Sequence, residues 1–565
     1  MSFSANHGSL QLRIALLGNP CVHLDWNEQE VSRLAQSGFN AVQLNIAWLS
    51  RPYDEALNLR DVVTVPGDPE EPRVAERRTE LRRRCALARR FGLRTLFHFG
   101  SPFMWRNPYT GQIDRTFNEQ NNYFNTADPW FDTLNPLVLT YESKLLQEFR
   151  CQFPDVDDIL VYTYDQDAWQ AKEFGNSKYS RGIPLHTRLP NYLQALHRIW
   201  TEGREDSAML WWEPWELSAG QIYACLPRLP RSGFGLMLHS NIAEVQIVRP
   251  VDVWFRNMGW VCRELGLPIV GEGFFGAMTE EIEPFSIPCP RLMDEQFRTL
   301  TSVPSVVGIK EYYGVLPLAA DLNLDMLRAR LAHPTASTER LLTMITRRFG
   351  RQKARVRAMM ELLAEAFRLY PWDASWFARE TGRADIDHGW SGATVRGQLC
   401  ETPSWNSSRR AHFMMTDDLQ PHPFLLEDVQ LRCTASAQRM DAALEICQGL
   451  LSRFPNDVDR LQFEQIRRDL DRFKRVTVSY ALHLRETNVA QMLREDLQAG
   501  RPMMPSLLEE MGRLLEADVA NQEGHGRVLE MSELFFRDPE AFIRTQLVLT
   551  EQTILEKGHH TLTTR

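Results

Sequence analysis

Two aspartates, Asp165 and Asp167, follow directly on an apolar run in the segment VYTYDQDAW (161–169). Side chains alternate along an extended chain, so both carboxylates point to the same side if the run continues as a strand. Two neighbouring carboxylates push their pKa values apart, which leaves one proton donor and one anion at neutral pH. That pairing suits a reaction in which a leaving oxygen is protonated while a positive centre is stabilised. The alternative is that both residues have structural roles, in which Asp165 caps the following turn and Asp167 pairs with Lys172 or Arg181.

Further carboxylates lie at the ends of other apolar runs. Glu213 lies in AMLWWEPW (208–215) and Glu216 follows that run directly, while Glu272 lies in LPIVGEG and Glu311 in SVVGIKEYYG. If these runs are strands of one barrel, their ends bring the acids within a few ångströms of one another. Crowded carboxylates destabilise a fold unless one is protonated or paired with a cation, so such a cluster indicates a functional site.

Amide, imidazole and aromatic side chains occupy equivalent positions in the sequence. Flat faces of pyranose rings pack on aromatic rings, while sugar hydroxyls bind to carboxylate, amide and imidazole groups. We predict catalytic roles for Asp165, Asp167 and Glu272. Substrate-binding roles are predicted for Asn45, Trp48, His98, Trp212, Glu213, Glu216, His239, Glu311 and Tyr312.

Eight short apolar runs in the first 320 residues must position these groups. Each run is rich in Val, Ile, Leu or aromatic residues and is bounded by Gly, Pro or polar residues, as buried parallel strands are. The runs are 12–18, 39–48, 93–100, 158–165, 208–215, 234–240, 267–273 and 305–314.

Amphipathic stretches separate the runs and predict the helices of an α/β fold. The stretches 27–38, 76–92 and 253–266 each end in a glycine just before the next strand, which is a helix C-cap signal. Alternating strands and helices, repeated eight times, predict a (β/α)8 TIM barrel over residues 1–334. The long insertion at about 101–156 predicts a lid over the barrel mouth.

Beyond residue 334 the pattern becomes helical, which predicts a mainly α-helical C-terminal domain over 335–565. Long amphipathic stretches cover roughly 336–369, 424–453, 457–498, 505–522 and 526–557, and 371–423 is irregular and rich in aromatic residues. These helices could support a homo-oligomer.

Composition excludes several classes of protein. The chain has 565 residues, 43% of them hydrophobic and 24% charged, and a net charge of −9, which argues against a broad nucleic-acid-binding face. Nine dispersed cysteines without a CxxC pair indicate reduced thiols rather than a disulfide framework. The apolar run near the N-terminus is too short for a signal peptide or a membrane span, so we expect a cytoplasmic protein that binds no membrane. We also expect no cofactor.

Two segments resemble known (β/α)8 glycoside hydrolases. VYTYDQDAW is similar to the fourth-strand motif of the hexosaminidase-like families 20 and 123, in which an Asp-Glu pair ends the strand. The resemblance implies that Asp165 orients an N-acetyl group of the substrate, which acts as the nucleophile. Gln166 stands at the position of the family's acidic Glu, so Asp167 or a glutamate from another strand would be the proton donor.

The second segment, LPIVGEGFFG, resembles the seventh-strand segment of clan A retaining glycosidases. That resemblance implies that Glu272 is the nucleophile, although the clan's Asn-Glu acid/base pair on the fourth strand is missing here.

Together these observations predict a glycosidase, exo-acting on a β-linked sugar such as an N-acetylhexosaminide, in the manner of a β-N-acetylgalactosaminidase or hexosaminidase. A metal-dependent sugar isomerase or epimerase, with a divalent cation at Glu213, His239, Glu272 and Glu311, is a second hypothesis. A non-catalytic carbohydrate-binding protein is a third.

Overall fold

The computed structural model describes most of both predicted domains. The described residues are 10–18, 24–45, 59–70, 72–100, 118–119, 130–131, 134, 136–162, 179–204, 208–214, 217, 219–240, 243–276, 287–312, 314, 321–372, 423–454, 456–522 and 526–544.

Eight parallel strands close into a barrel, which confirms the predicted fold class. Their order around the barrel is β1-β2-β3-β6-β7-β8-β9-β10, so sequence neighbours are also neighbours in space apart from a small hairpin between β3 and β6. The strands are β1 Leu12–Leu16, β2 Ala41–Gln43, β3 Arg94–Gly100, β4 Asn118–Glu119, β5 Trp130–Phe131, β6 Asp158–Tyr162, β7 Met209–Glu213, β8 Phe234–Leu238, β9 Ile269–Gly273 and β10 Val306–Glu311.

Alternation along each strand divides the apolar side chains into two layers. Inward-facing residues such as Leu160, Trp211 and Val270 fill the barrel, while Leu210 and its outward-facing counterparts pack under the helices. Trp211 needs the space beside Gly235, because a Cβ on that glycine would lie 2.4 Å from the indole ring. Since the barrel interior is solid below this level, chemistry is confined to the layer above it.

Helices surround the barrel on the outside. Asn27 caps the first helix by accepting a hydrogen bond from the Glu30 amide at 2.9 Å, and Gly266 ends the seventh in the left-handed conformation, with a φ of 70°. The helices are α1 Glu28–Gln36, α2 Pro72–Arg90, α3 Pro136–Gln152, α4 Leu185–Thr201, α5 Ala219–Cys225, α6 Ala243–Val248, α7 Val253–Leu265, α8 Pro290–Thr301 and α9 Asp321–Ala332.

Part of the range predicted as a lid belongs to the barrel wall. Helix α3 buries Leu145, Leu146 and Phe149 in the main apolar core, because its apolar residues recur at helical spacing. Strands β4 and β5 pair as a short antiparallel hairpin. The other residues between 101 and 133 lie outside the described part of the chain.

A helical unit follows the barrel and shares its core. Its helices are α10 Thr338–Thr346, α11 Lys353–Leu369, α12 Pro423–Leu451, α13 Asp457–Gln498, α14 Pro505–Asn521 and α15 Gly526–Arg537. The stretch predicted as one helix over 336–369 is two helices, because the chain turns at Gly350, which has a φ of 52°.

Ion pairs connect this unit to the barrel helix α8. Arg291 of α8 donates to Glu361 of α11 at 2.6 Å, and Arg368 lies 2.6 Å from Glu295. The apolar core continues from the barrel strands through α11 and α12 to Leu484 of α13. Among the described residues, no helix has the length and apolar character needed to cross a membrane.

Candidate functional site

Charged side chains replace apolar ones in the last inward-facing layer of the barrel. Glu213 ends β7, Glu272 lies in β9, Lys310 lies in β10, and His239 follows β8 directly. Each continues the inward-facing row of its own strand, as Glu213 does after Met209 and Trp211. The layer therefore lies at the carboxyl ends of the strands, where barrel enzymes carry their active sites.

These four residues contact one another closely. The Lys310 Nζ atom lies 2.7 Å from Glu272 Oε1 and 3.8 Å from Glu213 Oε2, and His239 Nδ1 lies 3.2 Å from Glu272 Oε2. Glu213, His239 and Glu272 also bring one nitrogen or oxygen atom each to within 4.8 Å of the others. Glu213, Glu272 and Lys310 have no exposed surface, so water screens their interactions little.

The two glutamates differ in their expected protonation. Burial raises the pKa of Glu213 well above its ordinary value, and the neighbouring Glu272 charge raises it further. Burial also acts to raise the pKa of Glu272, but the Lys310 ammonium and the hydrogen bond with His239 outweigh it and hold that pKa below its ordinary value. The order of the two pKa values makes Glu213 the better proton donor of the pair and Glu272 the better anion, paired with Lys310.

Lys310 is the member of this cluster that the sequence analysis missed. Its neighbour Glu311 was singled out instead, because an acid at a strand end suggests catalysis. Simple alternation along β10 does not separate the two, because the register shifts between Val306 and Gly308: Val307 lies in the inward layer, yet Lys310 also faces inward and Glu311 faces outward.

Glu311 organises the loop after β9. Its Oε2 atom accepts hydrogen bonds from the amides of Phe275 at 2.6 Å and Gly276 at 2.7 Å, and its Oε1 atom accepts one from the Gly314 amide at 3.1 Å. Tyr312 lies beside the cluster, with its ring centroid 5.2 Å from that of His239. The sugar-binding roles predicted for Glu311 and Tyr312 stay predictions.

Asn45 and His98 lie together on the side of the barrel formed by β2 and β3. Asn45 Nδ2 donates to the His98 carbonyl at 2.6 Å, and its Oδ1 accepts from the His98 amide at 2.9 Å. Gln43, which the sequence analysis also passed over, places its Nε2 atom 3.3 Å from His98 Nδ1. The amide of Asn45 thus fixes the backbone that carries the imidazole.

Trp212 lies away from this layer. It faces outward from β7 and is fully buried in the apolar core beneath the helices, on the opposite side of the strand from Glu213. Four other predicted site residues, Trp48, Asp165, Asp167 and Glu216, lie outside the described residues.

A divalent cation fits this cluster poorly. Glu213, His239 and Glu272 have suitable ligand atoms, but the Lys310 ammonium already lies against both carboxylates. A metal ion would have to displace that ammonium at the cost of strong repulsion. Glu311, the fourth predicted ligand, is engaged with backbone amides.

One solved structure that superposes on this chain is that of an enzyme of glycoside hydrolase family 138, which targets the pectin rhamnogalacturonan II. The superposition has a TM-score of 0.56 at 11% sequence identity and covers 91% of this chain and 62% of that one. The two chains share a fold. Since this chain spans less than two thirds of that enzyme, the likeness concerns only part of it.

Two other solved glycoside hydrolases superpose on this chain with lower TM-scores. A mutant O-GlcNAc hydrolase from Thermobaculum terrenum gives a TM-score of 0.40 at 12% identity, over 97% of this chain and 95% of that one. A family 5 glycoside hydrolase from Prevotella bryantii B14 gives 0.37 at 11% identity, over 57% of this chain and 96% of that one. No family model matches the sequence, and no curated protein does.

Proposed function

We propose that the chain is a glycoside hydrolase that retains anomeric configuration, with Glu213 as general acid/base and Glu272 as nucleophile. The observation that carries the proposal is the buried Glu213–Glu272 pair at the barrel mouth, in which Lys310 lies against both carboxylates. Glycoside hydrolysis uses two carboxyl groups in different protonation states, and this pair has that asymmetry.

The close approach of the two carboxyl groups argues against inversion. Retaining enzymes place their two carboxyl groups about 5–5.5 Å apart, whereas inverting enzymes leave about 6.5–9.5 Å for a water molecule. In this cluster the ligand atoms of Glu213, Glu272 and His239 all lie within 4.8 Å of one another. The two carboxyl groups therefore approach each other more closely than an inverting enzyme requires for its water molecule.

The proposed reaction has two steps. In the first, Glu272 attacks the anomeric carbon while Glu213 gives its proton to the leaving oxygen, and a glycosyl ester forms on Glu272. In the second, Glu213 takes a proton from water, and that water displaces the ester with a second inversion. Lys310 and His239 keep Glu272 ionised before the first step. They pair with its carboxylate again after the second step has cleaved the ester.

Substrate would approach from the side of His239. That residue is 7% exposed, whereas Glu213, Glu272 and Lys310 have no exposed surface. The imidazole therefore lies between the buried pair and solvent. We assign it to orienting Glu272 through the 3.2 Å contact and to binding a sugar hydroxyl.

Asp165 and Asp167 are proposed to bind the substrate next to this pair. Strand β6 pairs with β7 so that Tyr162 lies opposite Glu213, which puts the start of the VYTYDQDAW motif beside the general acid. The resemblance of the motif to hexosaminidase-like families supports an N-acetylhexosaminide, cleaved by an exo-acting enzyme, as the first substrate to test. Pectic sugars come second, since the family 138 enzyme targets a pectin.

A screen of nitrophenyl glycosides tests the proposal. We expect turnover of one of them by the wild-type chain, a loss of about 10²–10⁴ in Glu213→Gln, and near-complete loss in Glu272→Gln. Glu445→Gln, at an exposed acid of α12, is the matched control and should keep full activity. Near-native turnover in both active-site variants would overturn the assignment.

The cysteines support the proposal that this enzyme works in the cytoplasm. All those in the described residues are free thiols, and all but Cys151 are buried. Free, buried thiols suit a reducing compartment.

A further inference from the structure

A second cluster of ligand-type side chains lies far along the chain, in the helical unit. His483 and Glu486 occupy neighbouring turns of α13, and Asp518 lies on α14. Each offers one nitrogen or oxygen atom, and these atoms all lie within 4.8 Å of one another. Their exposed fractions are 2%, 1% and 0%. Nothing in the proposed hydrolysis uses them.

The buried carboxyl group of Glu486 lacks hydrogen bonds within the described part of the chain. Both of its carboxylate oxygens are buried and accept no hydrogen bond from any residue that the structure describes. No Lys or Arg among those residues forms an ion pair with it, in contrast to Lys310 at the barrel mouth. A buried carboxyl group without a hydrogen bond destabilises a fold by about 1–3 kcal/mol or more, so its presence indicates a missing partner.

Asp518, by contrast, is oriented by several neighbours. Its Oδ1 atom accepts a hydrogen bond from Ser479 Oγ at 2.5 Å, and Gln522 Nε2 donates to both of its oxygens at 3.2 Å. Its Oδ2 atom lies 2.6 Å from His483 Nε2. Metal-binding carboxylates are commonly held by such outer hydrogen bonds, and metal binding at the cluster would replace the direct His483–Asp518 contact.

The position in the fold gives the cluster a structural purpose. The main apolar core ends at Leu484, and a separate small core begins at Val489 and includes Met511 and Phe535. The cluster lies between the two, where α13 and α14 have polar rather than apolar contacts. A metal ion there would join the two helices at the point where the core is interrupted.

We propose that His483, Glu486 and Asp518 form a binding site for one divalent transition-metal ion, with Zn²⁺ as the best match. Zinc binds imidazole nitrogen together with carboxylate oxygen, and three protein ligands leave a fourth position for water. Mg²⁺ and Ca²⁺ fit less well, because they favour sites made only of oxygen ligands. The role is structural and independent of hydrolysis at the barrel mouth.

Metal analysis of the full-length protein, expressed with added zinc and freed of loosely bound metal, tests the proposal. We expect about one Zn²⁺ per chain in the wild type and in the Glu445→Gln control, and almost none in Glu486→Gln. Zn²⁺ should raise the Tm of the first two proteins only. Glu486→Gln is the informative change because it removes a carboxylate without breaking a hydrogen bond, so the metal-free variant should fold.

A second variant and a direct measurement distinguish loss of the metal site from misfolding of the protein. Ser479→Ala leaves all three ligands in place and should weaken Zn²⁺ binding about tenfold, as loss of an outer hydrogen bond does. X-ray absorption of the zinc-loaded wild type should show one imidazole nitrogen and oxygen ligands at about 2.0–2.1 Å. A wild type that retains no zinc, or equal zinc content in wild type and Glu486→Gln, would overturn the proposal.

Discussion

Two residues of the same type have opposite roles at the barrel mouth because their surroundings differ. Glu272 lies 2.7 Å from the Lys310 ammonium, whereas Glu213 is 3.8 Å from it and next to the Glu272 charge. The order of their pKa values favours the proton on Glu213 and the charge on Glu272, where the Lys310 ammonium balances it. That arrangement reduces the cost of burying charge and prepares one acid and one anion.

The activity should depend on pH in a bell-shaped manner. The active form has Glu272 ionised and Glu213 protonated, so kcat/KM should fall as pH drops through the pKa of Glu272, which lies below its ordinary value. It should also fall as pH rises through the pKa of Glu213, which burial places well above its ordinary value. In Glu213→Gln, assayed with a good leaving group, the alkaline limb should disappear. An unchanged alkaline limb would remove Glu213 from the acid role.

Replacing Lys310 by Met should shift the acid limb. Without the ammonium, the pKa of Glu272 should rise, and the acid limb of kcat/KM should move up by at least about one pH unit. The free energy of unfolding should fall by about 3–5 kcal/mol near neutral pH, because a buried charge loses its partner. The pH profile and urea unfolding measure the two effects separately. A variant with an unshifted acid limb would show that Lys310 does not set the ionisation of Glu272.

The sequence named three of the four residues in this cluster and missed the fourth for a definable reason. Glu213, His239 and Glu272 were found because an acid or imidazole after an apolar run is unusual. Lys310 and Glu311 are adjacent in β10, and the register shift between Val306 and Gly308, which no sequence pattern shows, decides which of them faces inward. Partner distances and the resulting pKa order depend on the closed barrel, so no sequence pattern could supply them.

At the scale of elements, buried amides and carboxylates hold the loops that carry the site. Gln246 of α6 accepts a hydrogen bond from the Ser240 amide at 2.7 Å and donates to the Glu272 carbonyl. Gln296 of α8 bonds both backbone groups of Phe274, at 2.8 and 3.0 Å. These contacts fix the backbone on both sides of the β8 and β9 ends, which positions the pair with little freedom.

Glu311→Gln tests whether that residue supports a loop or binds substrate. The variant keeps one carbonyl oxygen and replaces the other by an NH₂ group that cannot accept, so at least one backbone amide loses its partner. We expect the free energy of unfolding to fall by about 1–3 kcal/mol, with KM and the limbs of the pH profile nearly unchanged. Thermal unfolding and steady-state kinetics measure this. A large rise in KM at unchanged stability would favour the substrate-binding role instead.

The sequence predicted the positions of strands and helices better than the turns between helices and the packing of α3. All eight barrel strands and the helices α1, α2 and α7 lie within a few residues of the predicted bounds, because apolar runs and capping glycines mark them clearly. The chain turn at Gly350 was missed, since the amphipathic pattern continues through it. Helix α3 was assigned to a lid because 101–156 is long, although its own apolar spacing indicates a packed helix.

At the scale of the whole molecule, the barrel and the helical unit have a common core. Arg330 of α9 donates to Asp294 of α8 at 2.6 and 2.9 Å, and Thr338 of α10 donates to the same carboxylate at 2.6 Å. Arg330 also donates to the Ala336 carbonyl at 2.7 Å, and the arginine and the aspartate are both buried. The buried ion pair thus joins the last two barrel helices, and Thr338 connects it to the start of the helical unit.

Asp294→Asn should therefore destabilise both units together. The change leaves Arg330 buried without its counter-charge, so we expect a loss of about 3–5 kcal/mol in the free energy of unfolding. Urea unfolding should show one transition, with the same midpoint by tryptophan fluorescence and by far-UV circular dichroism. Two separate transitions, with only the second one shifted by the variant, would show that the units fold independently.

Peptide mapping of a trapped intermediate tests the central claim most directly. The wild-type chain would be incubated with an activated fluorosugar that matches the best substrate of the screen, then digested and analysed by mass spectrometry. We predict a single glycosyl adduct on the peptide that contains Glu272, absent in Glu272→Gln. An adduct on the peptide that contains Asp165 and Asp167, or an active enzyme that forms no adduct and is instead inhibited by a thiazoline, would contradict it.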